Sequence, residues 1–167
     1  MPATVRPASE ADIDALIRLN DAVQSLHAEL YPDEFKPRPD ASALRAFFAA
    51  HLSAIALAEL DGAAVGYVWR EAQSRPETPF SPARPRLFVH HLAVAAQARR
   101  RGVGTALMRY VEQDAARQGL SEIALGVWTR NRDALAFFQA RGFAETTATL
   151  RKALLSSRPR RKRAGPS

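Results

Sequence analysis

Between Val94 and Gly104 the chain reads Val-Ala-Ala-Gln-Ala-Arg-Arg-Arg-Gly-Val-Gly. Before it stands an apolar run from Arg86 to Val94; after it, Val103, Leu107, Val111 and Ala115 recur at helical spacing. The run must be a buried strand, the periodic segment a helix stopped by Gly119, and the link a strand-to-helix turn. Such a turn leaves several backbone N–H groups unpaired at the positive end of the helix dipole, an arrangement that holds phosphate. Gly102 and Gly104 let the backbone approach an anion without a Cβ in the way. Arg99, Arg100 and Arg101 add charge-assisted contacts of roughly 1.5–3 kcal/mol each where well formed. The expected ligand is a di- or polyphosphate.

The rest of the chain must supply a sheet for that strand. Ala3 to Arg6 reads as a short strand. Ser9 followed by Asp12 caps an amphipathic helix carrying Ile13, Leu16, Ile17, Leu19, Val23 and Leu26. Prolines 32, 37 and 39 make a loop of Tyr31 to Pro39. A second helix starts at Asp40 or Ser42 and buries Leu44, Phe47, Phe48 and Leu52. From Ala54 the period changes: Ala54 to Leu60 and Ala63 to Glu71 are antiparallel strands joined at Asp61-Gly62. Four prolines put Arg75 to Pro85 in an exposed loop. Beyond Gly119, Glu122 to Trp128 is a strand, Asp133 to Ala140 a short helix stopped by Gly142, and Ala144 to Leu154 a final strand region. The expectation is an α/β (α+β) fold: a mixed, mostly antiparallel sheet with helices on both faces.

Composition narrows the function classes. The 167 residues fit one domain, residues 1–155, followed by a basic tail, 156–167, expected to be disordered. The formal charge is +7, but five positive charges stand in that tail, which leaves +2 for residues 1–155. Nucleic acid is therefore a question about the tail, where weak contact is one reading and a plain solubilising extension the other. With no cysteine, a disulfide framework, a thiolate metal site and a thiol nucleophile are excluded. The N-terminus lacks an apolar signal core and every apolar stretch is broken by a charged residue or histidine, so a cytoplasmic protein without membrane contact is expected.

The turn is not Gly-x-x-x-x-Gly-Lys-Ser/Thr, and Leu107 stands where Gly-x-Gly-x-x-Gly needs its third glycine, so both common nucleotide motifs fail. Arg99-x-x-Gly102-x-Gly104 after Leu92-Ala-Val94 instead resembles the acetyl-coenzyme A site of the GNAT superfamily of N-acetyltransferases. Asn131-x-x-Ala134-x-x-Phe137-Phe138-x-x-x-Gly142-Phe143 resembles that family's second signature, in the right order. The resemblance runs from Val5 to Leu154. It implies a splayed sheet whose fourth and fifth strands, Leu87 to Val94 and Glu122 to Trp128, part to admit the pantetheine of acetyl-CoA. By the same resemblance Leu92, Ala93 and Val94 border that arm. The amides of Arg99, Arg100, Arg101, Gly102, Val103, Gly104 and Thr105 hold the pyrophosphate, and Asn131, Ala134 and Phe138 complete the cofactor site. No metal is expected.

The implied reaction is direct attack of a primary amine on the thioester in a ternary complex. Family members usually protonate the leaving thiolate from a tyrosine, but here Phe138 occupies that position and has no proton to give. Water, another residue, or unaided departure of a thiolate of pKa about 8.5 remains open. For the base, His90 and His91 are adjacent on one strand, so alternation sends them to opposite faces. His90, on the face of Phe88 and Leu92, is the candidate base; Glu71 is the second candidate, and His91 is expected to be structural. His27, Glu29, Tyr31 and Phe35 fall where the family forms its acceptor pocket, while Trp69 and Trp128 are read as packing residues. The acceptor is a small-molecule or peptide amine of unassigned class, and a homodimer is a state the resemblance allows. Two rivals stand beside this reading: transfer of another acyl group from its CoA ester, and a non-catalytic CoA-binding or nucleic-acid-associated module.

Overall fold

The computed structural model describes residues 2–152. The tail 156–167 and the end of the expected last strand, 153–154, lie outside the described residues. Residues up to Asn131 form one unit and those from Arg132 onward a second; each is described by itself.

The first unit contains one sheet of five strands in the order β1 (Thr4–Pro7), β2 (Ile55–Leu60), β3 (Ala63–Arg75), β4 (Arg84–Val94) and β5 (Ile123–Leu125). The first three pairings are antiparallel, and β4 pairs β5 in parallel. The Asp61-Gly62 pair joins β2 to β3 as expected: both residues have positive φ, 52° and 78°. A two-residue hairpin needs that twist to match its strands.

Helix α1 (Ile13–Leu30) follows a 3-10 turn in which Ser9 and Asp12 form a reciprocal cap. The Arg6 guanidinium holds both Asp12 oxygens at 2.8 Å and Glu59 Oε1 at 2.6 Å, which ties the edge strand to the helix start. Helix α2 (Ala41–His51) is capped by Asp40, whose carboxylate accepts from Ala43 N at 2.7 Å. Ile13, Leu16 and Leu19 of α1 and Phe48 of α2 bury against Ile55, Leu57, Tyr67 and Ala93 on one face of the sheet.

Helix α3 (Val103–Arg117) covers the other face, burying Val103, Leu107, Met108, Val111 and Ala115. Gly66 allows that approach: a Cβ there would lie 2.7 Å from Ala93 O, 3.1 Å from Val103 Cγ1 and 3.3 Å from Leu107 Cδ1. At the far end of α3, Arg70 is only 8% exposed and donates to Asp114 Oδ2 and to Ala54 O, each at 2.8 Å. Gly119 (φ 66°) stops α3, with Gly119 N–H bonded to Ala116 O and Leu120 N–H to Ala115 O. This is the paired ending that a left-handed glycine permits.

The second unit contains α4 (Arg132–Gln139), stopped in the same way by Gly142 (φ 84°). Phe143 N–H reaches Phe138 O, and their rings stand 5.6 Å apart. Phe138 is buried, at 8% exposure.

Three expected boundaries are corrected. The Arg75 to Pro85 loop is shorter, because β3 runs to Arg75 and β4 begins at Arg84. Pro85 is tolerated near the strand's start, opposite Ser74. Strand β5 is three residues long instead of spanning Glu122 to Trp128. The final strand region has no counterpart over 144–152, where Leu150 is 93% exposed. Its threonines favour strands only where a neighbouring strand exists to pack against. Among the described residues no helix is long and apolar enough to cross a membrane.

Candidate active site

Strand β4 is paired with described strands on both edges only over Leu87, Phe88 and Val89. Leu87, Phe88 and Val89 face Ile123, Leu125 and their neighbour Ala124 on β5, and the pairing stops there. From His90 to Val94 no described strand pairs that edge, while the other edge stays joined to β3 through Gly66↔Val94. The two strands thus part at His90, as the resemblance implied.

The same residue breaks the register with β3. Trp69 pairs His91 and Arg70 pairs Val89, so His90 is an extra residue, a β-bulge. Alternation would put the two histidines on opposite faces, and the bulge overrules it. The ring of His90 stacks on Trp69 at 4.1 Å, and that of His91 meets the same indole edge-on at 5.2 Å. Both lie on the α1–α2 face. His90 Nε2 stands 3.0 Å from Glu71 Oε2, and Phe88 flanks the ring at 4.9 Å. Glu71, expected as an alternative to His90, is its partner.

Water reaches His91 from one side, and Phe47, Tyr67 and Trp69 crowd the other. Burial pushes this imidazole down to about 4, and the nearby His90 and His27 add to the effect. Its Nδ1 lies 3.2 Å from the Tyr67 hydroxyl, which donates to Asn20 Oδ1 at 3.0 Å. Tyr67 is fully buried and Asn20 is 5% exposed. The indole N–H of Trp69 is also buried here, with no acceptor among the described residues. The sequence reading missed Asn20 and Tyr67. An amide at position 20, four residues after Leu16 on the buried stripe of α1, was the available signal, because a buried amide demands a partner.

The turn after β4 follows the expected path. A 3-10 turn over Ala96–Ala98 leads to Arg100 (φ 60°) and Gly102 (φ 82°), both left-handed. The first bond of the α3 ladder is Ala106 N–H to Gly102 O at 2.9 Å, so Val103, Gly104 and Thr105 form a first turn ahead of the ladder. The three arginines are exposed and spread: Arg99 Nε reaches Val94 O at 3.5 Å and Arg101 reaches Asp61 at 3.4 Å. Leu92 to Val94 and Arg99 to Thr105 therefore come together at the head of α3. Asn131 ends the first unit in a turn, its N–H bonded to Trp128 O at 2.8 Å. Ala134 and Phe138 belong to α4 in the second unit. A depression of about 560 Å³ has the Arg70–Asp114 pair and Glu71 in its walls and none of the turn residues.

The expected acceptor residues form a ring cluster of their own. Tyr31 OH accepts from Arg130 N–H at 2.8 Å, and Arg130 returns a bond to Leu30 O at 2.9 Å. Trp128 meets Tyr31 at 4.8 Å and Phe35 at 5.0 Å, and Phe35 meets His27 at 4.8 Å. Burial lowers the His27 imidazole as well. Trp128 is thus part of this cluster, while Glu29 is exposed.

Comparison with known proteins agrees with this geometry. N-acetyltransferase family 8 member 3 of Mus musculus is 36% identical over 105 residues, 63% of this chain and 45% of the relative. N-acetyltransferase 8 of Homo sapiens is 43% identical over 61 residues, 36% of this chain and 27% of the relative. The matches thus span less than half the length of these curated relatives. Among solved structures, the tetramutant of the BH1408 protein from Bacillus halodurans superposes with a TM-score of 0.79 at 19% identity, over 90% of this chain and 99% of that one. The aminoglycoside N-acetyltransferase AAC(6')-Iy, solved in complex with CoA, gives 0.66 at 20% identity, over 92% and 95%. Both likenesses concern the fold. Residues 20–143 match the profile of the acetyltransferase (GNAT) family, so the chain belongs to that family.

Proposed function

We propose that the chain is an N-acetyltransferase that moves the acetyl group of acetyl-CoA to a primary amine by direct attack. The observation that carries this reading is the parting of β4 from β5 beyond Val89, on the strand that feeds the Gly102 turn. The edge of Leu92 to Val94 that no described strand pairs suits the amide-bearing pantetheine arm. The first-turn amides of α3, flanked by Arg99 to Arg101, suit the pyrophosphate. Asn131, Ala134 and Phe138 are carried into the cofactor site by the family's second signature.

Three things are needed: an uncharged amine, a polarised thioester carbonyl and a proton for sulfur. For the first, His90 is the proposed base, because Glu71 Oε2 stands 3.0 Å from its Nε2 and orients the ring. Backbone N–H groups along the unpaired edge stabilise the oxyanion. The ring cluster of His27, Tyr31, Phe35 and Trp128 faces the acceptor. Phe138 keeps a non-catalytic CoA-binding reading in play, because the resemblance puts a proton donor at that position.

The test is thiol release from acetyl-CoA across polyamines, aminoglycosides, amino acids, peptide N-termini and lysine side chains, run beside thermal unfolding. A donor present at a hundred times its Kd stabilises by about 2.7 kcal/mol. Stabilisation with no thiol released by any amine would favour the non-catalytic reading, and faster release from a longer acyl-CoA would move the donor class. His90→Ala is expected to slow transfer at neutral pH and remove an inflection from the pH–rate profile; an unchanged profile takes His90 out of the mechanism.

A further inference from the structure

We propose that His91 carries the second proton of the transfer, from the amine nitrogen to the leaving sulfur, with Tyr67 and Asn20 as its positioning residues. The inference rests on the acetyltransferase reading and supplies the acid that Phe138 cannot be.

The hydrogen-bond chain fixes where the protons are. Tyr67 OH has a single proton, and it is directed at Asn20 Oδ1, 3.0 Å away. The phenol oxygen must then accept from His91 Nδ1 at 3.2 Å, so Nδ1 carries hydrogen and Nε2 keeps its lone pair. Burial raises the Tyr67 hydroxyl further above its ordinary range, so it stays protonated. The Tyr67 hydroxyl and the Asn20 amide that anchor this chain are buried, at 0% and 5% exposure. The reverse tautomer would require the Asn20 amide to turn over and donate to the phenol oxygen.

His90 is not equivalent, because its Nε2 is committed to Glu71 at 3.0 Å. The two imidazoles therefore offer different atoms: His91 a bare Nε2, His90 a ring held by a carboxylate. The titratable groups around His91 are His90 on its own strand, Tyr67 and, through His90, Glu71 on β3, His27 on α1, and His51 on α2 behind Phe47 and Trp69. Glu71 is engaged by His90, and burial keeps His91 neutral at rest.

The step balances as follows. The neutral amine nitrogen attacks the thioester carbonyl carbon, forming the C–N bond and moving the π pair onto oxygen. The adduct's nitrogen, now cationic, gives a proton to His91 Nε2. The oxygen pair re-forms the carbonyl as the C–S bond breaks, and sulfur takes the proton back from Nε2. Amide and free thiol result, and His91 returns neutral. A weakly basic imidazole takes the proton from the adduct nitrogen uphill and releases it readily, so the pick-up is drawn forward by C–S cleavage and by downhill delivery to a thiolate of pKa about 8.5.

The experiment pairs histidine ¹⁵N NMR of the full chain with kinetics on the best amine of the panel. At pH 7 the wild type is expected to show His91 with Nδ1 protonated and Nε2 bare, and Tyr67→Phe to lose that single tautomer while its fold and KM persist. His91→Gln is expected to lower kcat by about 100-fold or more with KM little changed. A wild type that turns over with Nε2 protonated, or with an imidazolium at pH 7, would overturn the assignment alone, as would an unmoved kcat in His91→Gln. A wild type with no turnover on any amine would instead overturn the acetyltransferase reading itself. The NMR readout needs no variant to fold.

Discussion

The two faces of β3 and β4 do different work with the same alternation. On the α3 face, Gly66 and Arg70 meet Val103, Leu107 and Asp114 through close packing and an ion pair. On the α1–α2 face, Tyr67, Trp69 and Glu71 meet both histidines, and the contacts are rings and hydrogen bonds that water reaches from one side. The comparison teaches that one residue of phase along β3 separates a face of packing from a face that joins packing to the candidate site. Residues 66 and 70 meet α3, whereas 67, 69 and 71 meet the two histidines, with Tyr67 also part of the core.

Three measurements would break or sharpen that division. Asp114→Ala leaves Arg70 buried without its carboxylate and is expected to destabilise by about 3–5 kcal/mol in urea unfolding. The folded fraction should keep its specific activity; loss of activity without loss of stability would mean that the α3 face also takes part in chemistry. Next, Gly66→Ala forces a Cβ to within 2.7 Å of Ala93 O, a backbone atom that cannot swing away. About 1–3 kcal/mol is the expected loss, and a neutral result would show that the β4 backbone gives way at Ala93 as well as α3 at Val103 and Leu107. The smallest effect is the pH dependence of the other face. The His91 imidazole is lowered in the folded chain, so the unfolded chain binds a proton first and stability falls as pH drops from about 6.5 towards about 4. Below that range Asp12, held under its ordinary value by Arg6, and Asp114 continue the fall as they protonate. His91→Gln should make the upper part of the curve shallower, leaving the share of His27, which burial also lowers. An unaltered curve would mean that His91 is solvated like any surface histidine.

What the sequence made legible follows from local physics. Asp61-Gly62 specified its hairpin because only left-handed pairs suit that turn, and Gly102 and Gly119 bounded α3 for the same reason. The Arg99-x-x-Gly102-x-Gly104 turn stands where expected because a strand, a glycine and a helical period are all readable within twenty residues. The bulge was not legible: His90 and His91 look like any two neighbours on a strand, and only the register with Trp69 and Arg70 reveals the extra residue. Strand β5 was overextended for a related reason. Its apolar run continues, but its partner bends away at His90, and a strand ends where its partner leaves. Asn20, Tyr67 and His91 are too far apart in sequence for their meeting to be read from periodicity.

The bulge has a consequence for how such a site is inherited. Remove His90 and Val89 would follow directly into His91, opposite Arg70 and Trp69 in unbroken succession. The sheet would lose no register, and every buried side chain of β4 would keep its face. The neighbouring imidazoles are thus recorded in the length of one strand, beyond the identity of its residues. A single-codon deletion separates a plain antiparallel ladder from one that carries two imidazoles on the same face.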